Sequence, residues 1–240
     1  MPRDQVWLGL VIGNSRYHWA KFQGDLLLKY WDTDYLNPQD YQEDQTIPIF
    51  LASVVGQQTI LWQQLSQVKV MTLADLPLNN LYPTLGIDRG LAVLGLGVEY
   101  GLPALMIDAG TALTFTGVDG DKNLIGGAIL PGLKLQFSTL SQRTAALPDV
   151  NIPRNLPQRW AINTTVAIES GITYTILAGI RDFIEAWLRD FQDSKIAITG
   201  GDRQIIFNYI KAKYPDLATQ IRLMPEAMFR GLLEVYLNQA

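Results

Sequence analysis

Three short stretches combine residue types suited to phosphate and proton chemistry: Gly13-Asn14-Ser15, Gly86-Ile87-Asp88-Arg89 and Asp108-Ala109-Gly110-Thr111. Glycine turns expose backbone N–H groups, and Asn, Ser and Thr add amide and hydroxyl donors, so two such turns can hold polyphosphate oxygens. A carboxylate beside a guanidinium at the start of a helix suits a general base next to an anion clamp. Each stretch also has a plainer reading. The turns match ordinary β-hairpins, and Asp88 matches a helix cap next to a surface arginine. Thr199-Gly200-Gly201, after an apolar run, would let backbone lie against a flat ligand such as adenine, and it equally describes a strand-to-helix turn. Thr164 reads as a helix cap. His18, the only histidine, lies in a β-prone run among aromatics and reads as packed or hydrogen-bonded rather than catalytic.

The elements that must position these groups form a repeated pattern. Gln5–Ile12 is apolar and β-prone, Gly13–Ser15 breaks it, Arg16–Phe22 resumes with alternating character, and Leu26–Trp31 follows the turn at Gln23-Gly24-Asp25. Leu105–Ala109, Ala112–Gly117 and the run ending at Gly126-Gly127 repeat this strand, turn, strand, turn, strand order. The offset that places Val11 on Asp108 also places Gly13 on Gly110 and Asn14 on Thr111. Two copies of one supersecondary unit are expected, with lobes at residues 1–104 and 105–240.

Between the meanders, residues 32–46 read as a polar connection holding a short helix. Ile47–Val55 and Val68–Leu73 read as strands, Gln58–Gln67 as an amphipathic helix, and Asp88–Tyr100 as a helix despite Gly90, Gly95 and Gly97. Glycine costs a helix about 1 kcal/mol relative to alanine, so close packing must offset those positions. After the second meander, Leu133–Leu147 reads as a helix. Pro148, Pro153 and Pro157 mark a loop, and Asn163-Thr164-Thr165 caps a long helix over Val166–Asp190. A strand at Lys195–Thr199, a helix capped by Asp202, a strand at Gln220–Met224 and a helix from Pro225 close the chain.

Composition narrows the function classes. With 240 residues, 48% of them hydrophobic and 18% charged, the chain can bury a substantial core, and it has no low-complexity tract. The net charge is −4 and the 19 basic residues are scattered, so no nucleic-acid partner is expected. Cysteine is absent, which excludes thiolate metal sites and a cysteine nucleophile. No apolar run reaches the length of a bilayer span, so no membrane partner is expected and a cytoplasmic location follows by elimination.

Taken together, the stretches Ile12-Gly13-Asn14-Ser15-Arg16, Gly86-Ile87-Asp88-Arg89, Asp108 through Thr114, Gly126 through Gly132, Thr144 through Pro148, Thr164 through Gly171 and Thr199-Gly200-Gly201 resemble, in order and spacing, the type III pantothenate kinase family. The resemblance covers nearly the whole chain. It implies an α/β fold of two duplicated ribonuclease-H-like lobes around a central nucleotide cleft, as in the acetate kinase, sugar kinase, heat-shock protein and actin superfamily. It also implies ATP-dependent phosphorylation of pantothenate, the first step of coenzyme A synthesis, by a homodimer that uses Mg²⁺ and K⁺ or NH₄⁺. By motif match Asp88 is the general base and Arg89 binds the pantothenate carboxylate, with Tyr82, Gly86, Ile87 and Thr164 shaping that site. Val11, Ile12, Gly13, Asn14, Ser15, Arg16, Tyr17, His18 and Thr111 fall at the ATP, and Asp108 falls at the potassium. One departure stands out: the family's first turn opens with Asp where this chain has Val11, and Ser15 replaces Thr. A catalytically weak regulatory protein of the same fold, or a kinase for another small hydroxylated carboxylate, remains open at this point.

Overall fold

In the computed structural model, which describes residues 5–41 and 46–239, these runs become two sheets and their flanking helices. The chain first passes through β1 (Val6–Ile12), β2 (Tyr17–Gln23), β3 (Leu26–Thr33), β4 (Ile49–Ser53), α1 (Gly56–Trp62), β5 (Val68–Val70) and α2 (Ile87–Tyr100). It continues through β6 (Ala104–Ala109), β7 (Ala112–Val118), β8 (Leu124–Pro131), α3 (Leu133–Arg143), α4 (Thr164–Asp190) and β9 (Lys195–Thr199). It ends with α5 (Arg203–Lys213), α6 (Pro215–Ala218), β10 (Ile221–Leu223) and α7 (Ala227–Gln239). In the polar connection, β3 runs on through Asp32 and Thr33 and a single 3₁₀ turn forms at Pro38–Asp40, while 42–45 lie outside the described residues.

The duplication expected from the sequence is present in the topology. One sheet has the order β3-β2-β1-β4-β5 and the other β10-β9-β6-β7-β8, so each copy pairs an antiparallel meander with two parallel strands beside its first strand. Val11 pairs with His18 across the first turn, whereas Asp108 pairs with Thr114 across the second, making the second turn one residue shorter.

The two compact units comprise Met1–Tyr100, Lys122–Leu124 and Glu226–Ala240, and Gly101–Asp121 with Ile125–Pro225. Helix α7, expected with the second lobe, therefore belongs to the first unit. Aromatic packing accounts for this, because Trp7 on β1 is stacked between Phe22 on β2, at 3.9 Å between ring centroids, and Tyr236 on α7, at 4.2 Å. On the other face of that sheet, Leu8, Leu10 and Ile12 pack with Tyr17, Trp19 and Trp62. In the second unit, Ile107, Phe115, Ile172, Ile176, Ile180 and Ile198 belong to one core. Asn163 caps α4 by accepting the Val166 N–H at 3.0 Å, as its side-chain chemistry requires.

The glycines of α2 have a packing reason. A Cβ on Gly95 would overlap the Ala227 carbonyl and come within 2.8 Å of the Gly231 nitrogen, and a Cβ on Gly231 would overlap the Leu91 carbonyl. Helices α2 and α7 thus meet backbone to backbone. Gly95→Ala should destabilise the protein by roughly 1–3 kcal/mol or more, because neither backbone can yield locally. Urea unfolding monitored by far-UV circular dichroism checks this, with Gly179→Ala, on α4 with open space beside it, as the control.

Candidate active site

Asp88 and Arg89 lie in the first turn of α2. The carboxylate accepts the Arg89 N–H at 2.8 Å, and its Oδ1 lies 2.5 Å from where a Gly86 Cβ would stand, so residue 86 must lack a side chain for Asp88 to fold back on the helix start. Asp88 is therefore a first-turn residue and not the N-cap. Burial pushes its carboxyl above the ordinary range. The Arg89 N–H, the Arg89 guanidinium and the charge of His18 pull the other way and do not overcome that burial. A carboxylate with raised proton affinity is what general-base work requires.

Arg89 is 7% exposed, and its Nη1 donates to the Tyr82 hydroxyl at 3.0 Å. Tyr82, on the loop before the helix, thus reaches the guanidinium that the sequence assigned to carboxylate binding. Gly86 and Ile87 border an open cavity of about 410 Å³, together with Ser53, Val54, Met71 and Thr72. That volume lies in the range of small-molecule sites.

The first glycine turn holds together a charged group that the sequence reading missed in part. His18 Nδ1 lies 2.8 Å from Asp32 Oδ1, and Arg16 Nη1 lies 3.5 Å from Asp32 Oδ2. The hydrogen bond from His18, assisted by the charges of His18 and Arg16, holds the Asp32 carboxyl below its usual range despite partial burial. The Tyr35 hydroxyl donates to the Gly13 carbonyl. Asp32 and Tyr35 escaped notice because they lie where the chain turns polar. The meander register carried the signal, since His18 and Asp32 are direct cross-strand partners.

Other expected nucleotide contacts are internal. Val11, Ile12 and Tyr17 have no exposed surface, and the Tyr17 hydroxyl accepts the Trp62 indole N–H at 2.9 Å while donating to Gln58. These side chains build the frame of the turn and present no atom to a ligand. Gly13 is half-buried, and Asn14, Ser15 and Arg16 are exposed.

In the second unit, Asp108 ends β6 half-buried, and its Oδ1 lies 3.3 Å from the place a Gly110 Cβ would occupy. Gly200 takes φ +88° where its backbone passes against Ala109 and the Asp108 carboxylate, so a close approach within the protein already requires this glycine. Asp202 makes no side-chain cap on α5. Its carboxylate is instead bonded by the Lys134 N–H at the start of α3, and burial raises its proton affinity. Thr111 and Thr164 are exposed, Thr164 as the first residue of α4. Among the described residues no three Asp, Glu or His side chains converge on one point. These residues fit a divalent cation carried on phosphate oxygens and water better than one caged by protein.

The sequence matches the profile of the type III pantothenate kinase family over residues 7–186. It is 50% identical to a type III pantothenate kinase of Nostoc sp. PCC 7120, across 95% of this chain and 94% of that one. In structure it is similar to a Campylobacter jejuni protein described as a Baf-family transcriptional activator, with TM-score 0.70, 21% identity and coverage of 97% and 98% of the two chains. It is also similar to Spiroplasma citri MreB5 bound to AMPPNP, with TM-score 0.53, 10% identity and coverage of 99% and 98%. The latter two establish the actin-like fold.

The raised proton affinity of Asp88 has a consequence for stability. The folded state binds this proton more tightly than the unfolded state, so the group's favourable contribution is complete in acid and is lost as pH rises through its folded pKa. Asp88→Asn, neutral throughout, should melt above wild type at pH 8, and the gap should shrink as pH falls toward about 4, the ordinary carboxylate range. Melting curves of the two proteins across that range check it.

Proposed function

The chain belongs to the type III pantothenate kinase family, enzymes that phosphorylate pantothenate with ATP, and from that premise we propose which residues carry the reaction. The observation that carries the assignment is the pairing in one helical turn of a half-buried carboxylate of raised proton affinity with a buried guanidinium. Asp88 accepts the proton of pantothenate's primary hydroxyl as that oxygen bonds to the γ-phosphorus. The bond from that phosphorus to the ADP oxygen breaks, leaving ADP and phosphopantothenate.

Arg89 binds the acceptor's carboxylate, where its planar fork of donors is matched by two carboxylate oxygens. Tyr82, bonded to Nη1, fixes the direction of that fork. Gly86 and Ile87 wall the acceptor pocket, and Thr164 contributes to acceptor binding. The turn from Gly13 to Ser15, with Arg16 and His18 beside it, holds the ATP phosphates through backbone N–H groups, hydroxyls and charge, and likeness to the family supports Thr111 as a further nucleotide contact. Val11, Ile12 and Tyr17 act at this turn as the buried support that fixes its backbone.

A divalent cation, which we take as Mg²⁺, neutralises phosphate charge when bound. Asp108 supplies the carboxylate for K⁺ or NH₄⁺. Likeness to the family supports a homodimer and a cytoplasmic location, and no described helix is long and apolar enough to cross a membrane.

A coupled assay of ADP release, run with and without pantothenate and with and without K⁺, tests the assignment. Asp88→Asn should lower turnover by about 10² to 10⁴ while leaving ATP binding nearly unchanged. Arg89→Lys should raise the KM for pantothenate far more than that for ATP, and wild type should use pantothenol, which lacks the carboxylate, poorly. Equal use of the two acceptors would remove Arg89 from carboxylate binding.

A further inference from the structure

We infer that Asp32 is a positioning residue for nucleotide binding, gripping His18 through Nδ1 so that the Nε2–H of the imidazolium is directed at the phosphate oxygens held by the Gly13 turn. The inference rests on the reading of Gly13–Ser15 as a phosphate turn and deepens it. His18 stands on β2 between Val11 on β1 and Asp32 on β3. Its Nδ1 lies 2.8 Å from the Asp32 carboxylate. Its Nε2 lies 3.1 Å from where a Cβ of Gly13 would be, so the ring's second nitrogen rests against the turn itself. That nitrogen has no hydrogen-bond partner among the described residues, and the His18 side chain is 25% exposed, so a ligand can reach it.

An ionised carboxylate only accepts hydrogen bonds, so the nitrogen facing Asp32 carries hydrogen. If the ring is neutral, Nε2 is then an acceptor and repels a phosphate oxygen. If the ring is the cation, it donates from both ends, to Asp32 and to phosphate. The charged groups around the ring are Asp32 from β3, which bonds Nδ1, Asp88 from α2, and Arg16, which pairs with Asp32. The Tyr35 hydroxyl donates to the Gly13 carbonyl, so that acceptor of the turn is already engaged within the protein. As an ion pair this contact adds little to folding, because the Asp32 side chain is 48% exposed. Its consequence lies in aiming the ring.

The test is the dissociation constant of AMPPNP, measured by titration calorimetry between pH 6 and pH 9 on the full chain. Wild type should bind more weakly at the alkaline end of this range than at the acid end, because only the imidazolium donates from both nitrogens. Asp32→Asn should weaken binding roughly three- to tenfold at the acid end and flatten this dependence, since one charge-assisted hydrogen bond loses its aim in a partly exposed site. Asp32→Glu should restore part of the affinity, and His18→Gln should remove the pH dependence altogether. In steady state, Asp32→Asn should raise the KM for ATP while leaving kcat at saturating ATP within about twofold, a split that loss of fold would not produce. Unchanged affinity and pH profile in Asp32→Asn and His18→Gln would overturn the inference. Asn14→Ala, in the same turn and outside the charged group, separates the two levels. If it weakens AMPPNP binding while the Asp32 and His18 variants do not, the positioning role falls and the phosphate turn stands. If none of the three changes binding, the assignment of the turn falls as well.

Discussion

The close approach of α2 and α7 constrains the first unit more than any other contact. With Gly95 lying on the backbone of Ala227 and Gly231, and Gly231 on that of Leu91, the two helices have no side-chain layer between them that could creep or repack. The start of α2 is therefore held in place by contacts that begin within about one turn of it, at Leu91. That start carries Asp88 and Arg89. Stacking of Trp7 between Phe22 and Tyr236 ties α7 to the sheet, so the strand leading into the first glycine turn and the helix bearing Asp88 share one frame. Catalysis by positioning needs such a frame, because displacement of a catalytic group by about 1 Å is costly.

Within that frame, charge is arranged against stability. A carboxylate at a helix start enjoys N–H donors and the helix dipole, which lower its proton affinity. At Asp88 desolvation outweighs them, and the outcome is a proton affinity that folding alone would not select. Arg89, 7% exposed, likewise meets the cost of burial through the Tyr82 hydroxyl and its other contacts. At the first turn, Asp32 stays ionised because His18 and Arg16 bond to it. Both groups are arrangements in which a carboxylate's environment, rather than its identity, determines its chemistry.

The duplicated sheets have diverged at one equivalent position. Val11 and Asp108 occupy the same place in the two strand orders, yet Val11 has no exposed surface and Asp108 is half-buried among glycines. Gly110 and Gly200 leave room around the second carboxylate, whereas His18 lies across Gly13 in the first unit. The shorter second turn places Thr114 opposite Asp108, in the position where the first unit has His18 opposite Val11. One copy thus keeps a carboxylate at the strand end and the other an imidazole beside the turn.

The repeat, the strand runs and the long α4 were legible because they rest on local information. Alternation, glycine turns and an Asn cap act over a few residues, and the observed β6, β7, β9 and α4 begin and end close to where those signals fall. Gly86-Ile87-Asp88-Arg89 was legible as the start of a helix for the same reason. What the sequence could not determine depends on partners far along the chain. The membership of α7 in the first unit follows from aromatic stacking and glycine contacts across most of the chain length. The burial of Val11, Ile12 and Tyr17, the pairing of Asp32 with His18 and the bond from Lys134 to Asp202 were decided by strand register and by which helix start lies beside which loop. Spacing along the chain specifies the type of element. Desolvation and pairing, which set the chemistry of each carboxylate, exist only once distant segments have packed.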